Sequence, residues 1–173
     1  MASLTQSLIK RPAPDFSLQT LDGGRFKLSE ALGHIVVVNF WSAECPWSRR
    51  ADLVIVYRQH AWAKLGIVVV GIASNPNEPA SELRYEAEVR QVKYPILLDS
   101  GQDVVAHYHA EATPHFFVVD PEGVVRYVGA LDDATAQQRI PKIIYLDRAI
   151  AAVAANRDPK PATTTPYGSA IVT

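Results

Sequence analysis

In "FSLQTLDGGRFKLSEAL" (residues 16–32) apolar and polar positions alternate on both sides of Asp22-Gly23-Gly24. That two-residue period, broken at glycines that accept φ > 0, predicts a β-hairpin, with "SEAL" opening a short helix behind it. "HIVVVNFW" (34–41) then runs apolar without alternation, as a central strand buried on both faces does. From Pro46 the period lengthens: Leu53, Val56, Tyr57 and His60 recur at helical spacing to about Lys64. "GIVVVGIAS" (66–74) is a second buried strand. "NPNEPASELRYEAEVRQV" (75–92) is a loop and an amphipathic helix capped near Ser81. "YPILLD" is a short strand, and "SGQDVVAHYHAEA" supplies a helical turn or two. "TPHFFVVDPEGVVRYVGALDD" (113–133) is two apolar strands joined by a proline-glycine turn. A final helix is predicted from about Ala134 to Ala155.

This order of elements implies an α/β fold, a central mixed sheet flanked by helices on both faces and preceded by an N-terminal β-hairpin. Residues 1–155 form one domain, and 156–173, rich in proline and threonine, an irregular tail. The 173 residues suffice for one domain with a substantial core.

Composition narrows the function. Lysine plus arginine number 17 against 18 acidic residues, with no basic block, so neither nucleic acid nor a membrane surface is an expected partner. The opening residues lack the apolar run of a secretory signal, and no stretch approaches the roughly 20 apolar residues that span a bilayer. The expectation is a soluble, cytoplasmic protein, a monomer or weak homodimer. Cys45 is the single cysteine, which excludes an intramolecular disulfide and a cysteine-based metal site.

Cys45 lies where a buried strand ends and a helix begins. Free N–H groups and the positive end of the helix dipole favour an anion there, so its thiol is expected to be acidic, within the range of about 3.5–7.5 found in such places. Arg49 and Arg50 add positive potential and Glu44 opposes it.

"FWSAECPWSRR" (40–50) resembles the "FWxxWCPPCRxE" signature of thioredoxin-like thiol-disulfide oxidoreductases, in the group that also holds the alkyl hydroperoxide reductase and thiol-specific antioxidant proteins. "PAPDFSLQTLDGGRFKLSE" is similar to that group's opening hairpin, and "ATPHFFVVDPEGVVRYVGALDD" to its threonine–proline strand and last hairpin. The resemblance implies a thioredoxin-like fold with Cys45 as nucleophile and a cis peptide bond before Pro114. It also implies a backbone edge at Thr113 that pairs with an extended substrate. Trp41, Ser42, Pro46 and Trp47 would frame the sulfur, and no cofactor is called for.

Three departures from the pattern matter. Ser48 stands at the second cysteine of the motif, and Glu44 replaces a tryptophan. Ser169 lies in "PYGSAI", similar to a redoxin tail that carries cysteine in such a context. Every resolving position is therefore serine, whether natural or replaced, and the expected chemistry is monothiol. Cys45 would form a mixed disulfide with a disulfide-bearing protein or small molecule, resolved by an external thiol reductant. The alternative is a thiol peroxidase acting on hydroperoxides; of its "PxxxTxxC" motif, Ser42 stands for the threonine and Val38 occupies the proline position. A redox-inactive binding module is the third reading. His107, His109 and His115 lack partners at metal-ligand spacing, so no metal is expected. Arg84, Glu86, Glu88 and Arg90 read as a solvated helix face, and Asp132 and Asp133 as caps of the last helix.

Overall fold

A computed structural model of the chain describes residues 3–173. The predicted hairpin is β1 (Ser17–Gln19) and β2 (Arg25–Lys27), followed by a 3-10 turn at Leu28–Ala31. The core strands are β3 (Val36–Trp41), β4 (Val68–Ala73) and β5 (Ile96–Leu98), with α1 (Pro46–Lys64) and α2 (Ala80–Val89) between them. After α3 (Asp103–Tyr108) come the short β6 (Ala112–Thr113), the hairpin β7 (His115–Val119) and β8 (Val125–Gly129), α4 (Tyr145–Ala154) and β9 (Ser169–Ala170). The central sheet has the order β5-β4-β3-β7-β8, parallel from β5 to β3 and antiparallel from β3 to β8.

Alternate residues of β3 serve opposite faces of this sheet, as the period of a strand requires. Val37 and Trp41 pack with Ile55 and Trp62 of α1 and Leu146 and Ile150 of α4. Val36, Val38 and Phe40 pack with Phe117, Val104, Val105 and Tyr108 on the other side, where Phe16 of the hairpin region joins them. Burial on both faces explains why β3 and β4 read as unbroken apolar runs.

Five expectations need correction. Helix α1 has the predicted limits but the opposite face inside: Leu53 and Tyr57 are 75% and 87% exposed, while Ser48, Ala51, Asp52, Ile55 and Trp62 are buried. Small Ala51 and Ser48 let the helix approach the sheet, and buried Asp52 is met by three hydrogen-bond donors. Helix α2 is entered from Pro79 with no side-chain cap, not from Ser81. Its Arg90 is no solvated charge, since the side chain is 3% exposed and bonded to Asp52 and Glu86.

The last helix begins at Tyr145, eleven residues later than predicted. Pro141 lacks an N–H and disfavours a helical residue before it, and the Asp133 carboxylate instead accepts the N–H groups of Lys142 and Ile143. Neither Asp132 nor Asp133 caps α4; Asp132 binds Arg50 and the Ala134 N–H.

His115 sits on β7 with no exposed surface; its Nδ1 accepts the Glu111 N–H at 3.1 Å and its Nε2 has no partner. Burial pushes its pKa down to about 4. The unfolded chain, with an ordinary histidine pKa near 6.5, binds more protons than the folded one between these values, so stability falls as pH drops through that window. The full loss is about 3 kcal/mol. Urea midpoints measured from pH 7 to 4.5 are expected to show this decline, with a shallower slope in His115→Gln. Parallel slopes would refute the assignment.

Candidate active site

The site is built where β3 hands the chain to α1. Cys45 is the helix N-cap, in extended conformation, and its Sγ accepts the Ser48 N–H at 3.4 Å; Pro46 opens the helix without needing a donor partner. The connecting loop is tied to itself. Ser42 Oγ accepts the N–H groups of Cys45 at 3.1 Å and Glu44 at 3.2 Å, and Ser48 Oγ accepts the Ser42 N–H at 3.1 Å. Buried Glu78 holds the loop from outside: its carboxylate accepts the Ser42 hydroxyl at 2.7 Å, the Ala43 N–H and the Asn75 amide. Arg90 closes the other side, giving Nη2 to the Ala43 carbonyl at 2.7 Å while its guanidinium lies 4.7 Å from the Trp41 ring.

Two further segments meet the sulfur. The Thr113–Pro114 bond is cis, as the resemblance implied, and the Thr113 carbonyl lies 3.0 Å from Sγ, placed to accept the thiol proton. Ser169 brings its Oγ to 3.1 Å from Sγ across a sequence separation of 124. Cys45 is consequently only 4% exposed. Burial raises its pKa, but the hydrogen bonds that the Ser169 hydroxyl and the Ser48 N–H can give the sulfur outweigh burial and hold it below the ordinary thiol value.

The structure thus gathers Cys45, Ser42, Pro46, Ser48, Thr113 and Pro114, and adds Ser169. Trp47 meets Tyr167 edge-on at 4.7 Å, and both line a small cleft with Pro114. Trp41 does not face the cleft; it is wholly buried and gives its indole N–H to Asp52 at 2.7 Å. Arg49 and Arg50 are paired with Glu86 and Asp132, so their charge is largely compensated before it reaches the thiol. His107 lies on α3, His109 just beyond it and His115 in the core. Among the described residues no group of three or more His, Cys, Asp or Glu is placed to hold a metal ion.

Sequence reasoning did not find Glu78, Asp52, Arg90, Tyr94, Tyr167 or Gly168. Arg90 read as part of a solvated helix face, Asp52 and Glu78 stand in no motif, and only the fold brings them under the loop. For the tail, the one local sign was a glycine directly before Ser169.

Residues 9–128 match the AhpC/TSA family. Among curated relatives, the thioredoxin-like protein YneN of Bacillus subtilis is 30% identical over 74% of this chain and 76% of its own length. The thiol-disulfide oxidoreductase ResA of Geobacillus kaustophilus is 28% identical over 67% of this chain and 66% of its own, so the chain spans just under two thirds of that relative. A hypothetical protein of Sinorhizobium meliloti, of solved structure, superposes with a TM-score of 0.83 at 28% identity, covering 94% of this chain and 93% of that one. The thioredoxin domain of a Bacteroides vulgatus oxidoreductase shares the fold at a TM-score of 0.64 and 22% identity, over 76% of this chain and 91% of that domain. With a mixed five-stranded sheet, a cysteine capping its first long helix and a cis proline beside the sulfur, the chain has the thioredoxin-like fold and belongs to the AhpC/TSA family.

Proposed function

We propose that the protein is a monothiol thiol-disulfide oxidoreductase with Cys45 as its nucleophile. The observation that carries this reading is the setting of Sγ, with the Ser48 N–H and the Ser169 hydroxyl placed to donate to a thiolate and the Thr113 carbonyl placed to accept a hydrogen bond from the neutral thiol. The Cys45 thiolate attacks one sulfur of a substrate disulfide. That S–S bond breaks, a mixed disulfide forms, and the other sulfur leaves as a thiolate that takes up a proton. An external thiol then attacks the mixed disulfide, releases Cys45 as thiolate and leaves joined to the first half of the substrate. Ser48 and Ser169 cannot perform that second attack, so the reductant is a separate molecule.

The relatives named as thiol-disulfide oxidoreductases support this reading over the peroxidase one. So does Ser42, whose hydroxyl is given to Glu78 and already accepts two N–H groups, which leaves it poorly placed to receive a peroxide.

Mass spectrometry and stopped-flow kinetics with glutathione disulfide and with hydrogen peroxide, from pH 5 to 10, test the proposal. The expected result is a single glutathione adduct on Cys45 that forms faster than sulfenic acid, with its midpoint below the ordinary thiol pKa of about 8.5. Faster oxidation by peroxide would replace this reading with the peroxidase. A thiol inert to both would leave the binding module.

A further inference from the structure

The tail is not loosely laid over the domain. Val128 N–H bonds the Ala162 carbonyl and Thr164 N–H the Val128 carbonyl, while Thr164 Oγ1 accepts the Ala130 N–H at 2.8 Å. Tyr167 packs on Trp47, and its hydroxyl accepts the Ala136 N–H at 3.0 Å. Ser169–Ala170 then pairs antiparallel with Ala112–Thr113, the Ile171 N–H reaches the Glu111 carbonyl at 3.1 Å, and Ile171 is buried in the core. Among the described residues β9 is the only strand paired with β6. The backbone groups next to Pro114 that an incoming extended chain would use are therefore already taken, by this chain itself.

Gly168 makes the approach feasible. A Cβ built there would overlap the Thr113 carbonyl and lie 3.1 Å from Pro114 Cδ, so the tail fits against the cis proline only because residue 168 has no side chain.

We propose that the segment Tyr167–Ala170 sets the substrate preference of Cys45 by occupying the strand position that an extended polypeptide disulfide would take. A polypeptide substrate then reacts only through the fraction of molecules in which the segment has lifted, whereas a small disulfide needs little more than a path to Sγ past the Ser169 side chain. This inference rests on the exchange reading above and adds to it which disulfides are served.

The experiment compares the wild type, Gly168→Ala and Ser169→Ala with two substrates that release the same chromophore, thionitrobenzoate. One is 5,5'-dithiobis(2-nitrobenzoate); the other is a ten-residue extended peptide whose cysteine carries the thionitrobenzoate group. In each, Cys45 displaces thionitrobenzoate and keeps the other half in a mixed disulfide. If the segment is docked in about nine molecules in ten, Gly168→Ala raises the peptide rate about tenfold relative to the small-disulfide rate. Ser169→Ala keeps the backbone pairing, so whatever it does to the thiol or to the path past residue 169, it does not raise that ratio. An unaltered ratio in Gly168→Ala overturns the proposal.

Iodoacetamide alkylation of Cys45, which needs no exchange, separates the two levels of failure. If the thiol of Gly168→Ala is alkylated readily while neither disulfide reacts with either protein, the exchange reading falls and takes this inference with it.

Discussion

Introduction of Ser169→Cys is expected to close a disulfide to Cys45 on mild oxidation, removing all thiol reactivity and stabilising the fold by about 4–5 kcal/mol. The side-chain ends already meet, with Ser169 Oγ 3.1 Å from Sγ, and the pairing of Ser169 with Thr113 fixes the backbone that carries one of them. A small rotation of either side chain brings such a pair to bonding distance. The gain is large because the bond spans a sequence separation of 124, and closing a long loop removes more entropy from the unfolded chain than closing a short one. Thiol titration should find two thiols before oxidation and none after, and urea unfolding of the two forms should give the difference in stability. Persistence of both thiols would mean that position 169 does not rest on Cys45. The contrasting variant is Ser48→Cys, at the position the motif itself points to. It would close only a short loop, so a disulfide formed there should add about 2 kcal/mol, less than half the gain expected at position 169.

Substituting Arg90→Leu should cost about 3–5 kcal/mol at neutral pH, the range for a buried charge that loses its partner. The Asp52 side chain is 1% exposed and accepts hydrogen bonds from Tyr94, from Trp41 at 2.7 Å and from Arg90 at 3.0 Å. Burial already raises its pKa above the ordinary carboxylate value, although those bonds and the Arg90 charge pull it back. Without Arg90 the folded-state pKa rises further, the folded form binds the extra proton, and stability decreases as pH rises above the unfolded value near 3.9. The penalty is therefore smallest in acid and largest near neutrality. Urea denaturation across pH measures it directly; a cost below about 1 kcal/mol at pH 7 would show that Asp52 does not depend on Arg90. The paired change Asp52→Leu with Arg90→Leu should recover much of the loss, because it removes the stranded charge as well as its partner. Because Arg90 also holds the Ala43 carbonyl, Cys45 reactivity should fall in the single variant even where the fold survives.

What the sequence made legible was local. A β-branched run, a cysteine and a proline in succession fix a strand, a cap and a helix start within a dozen residues, and α1 begins and ends where the pattern places it. The hairpins were equally plain, since alternation and turn residues act over short distances. The orientation of α1 was not. Helical period alone does not choose a face, and Asp52 became an interior residue only because Tyr94 and Arg90, some forty positions later, arrive to bond it. The late start of α4 depended on Asp133 capturing N–H groups that a longer helix would have used internally. The docked tail was hardest to foresee: it is held largely by backbone pairing, which any sequence can make, and its side-chain requirement is an absence, at Gly168. Ser169 was singled out by resemblance, with its place against the sulfur supplied by the fold.

The span between Cys45 and its cover also has a consequence in time. A ribosome adding roughly 5–20 residues per second takes on the order of ten seconds to travel from codon 45 to codon 169. Throughout that interval the nascent thiol has no Ser169 hydroxyl against it and no strand beside Thr113. The chain meets the oxidants and thiols of its surroundings with this cysteine least protected before translation has finished, and an adduct acquired then would prop the tail away from β6. Redox state during synthesis, as well as after it, thus bears on how many molecules reach the closed arrangement.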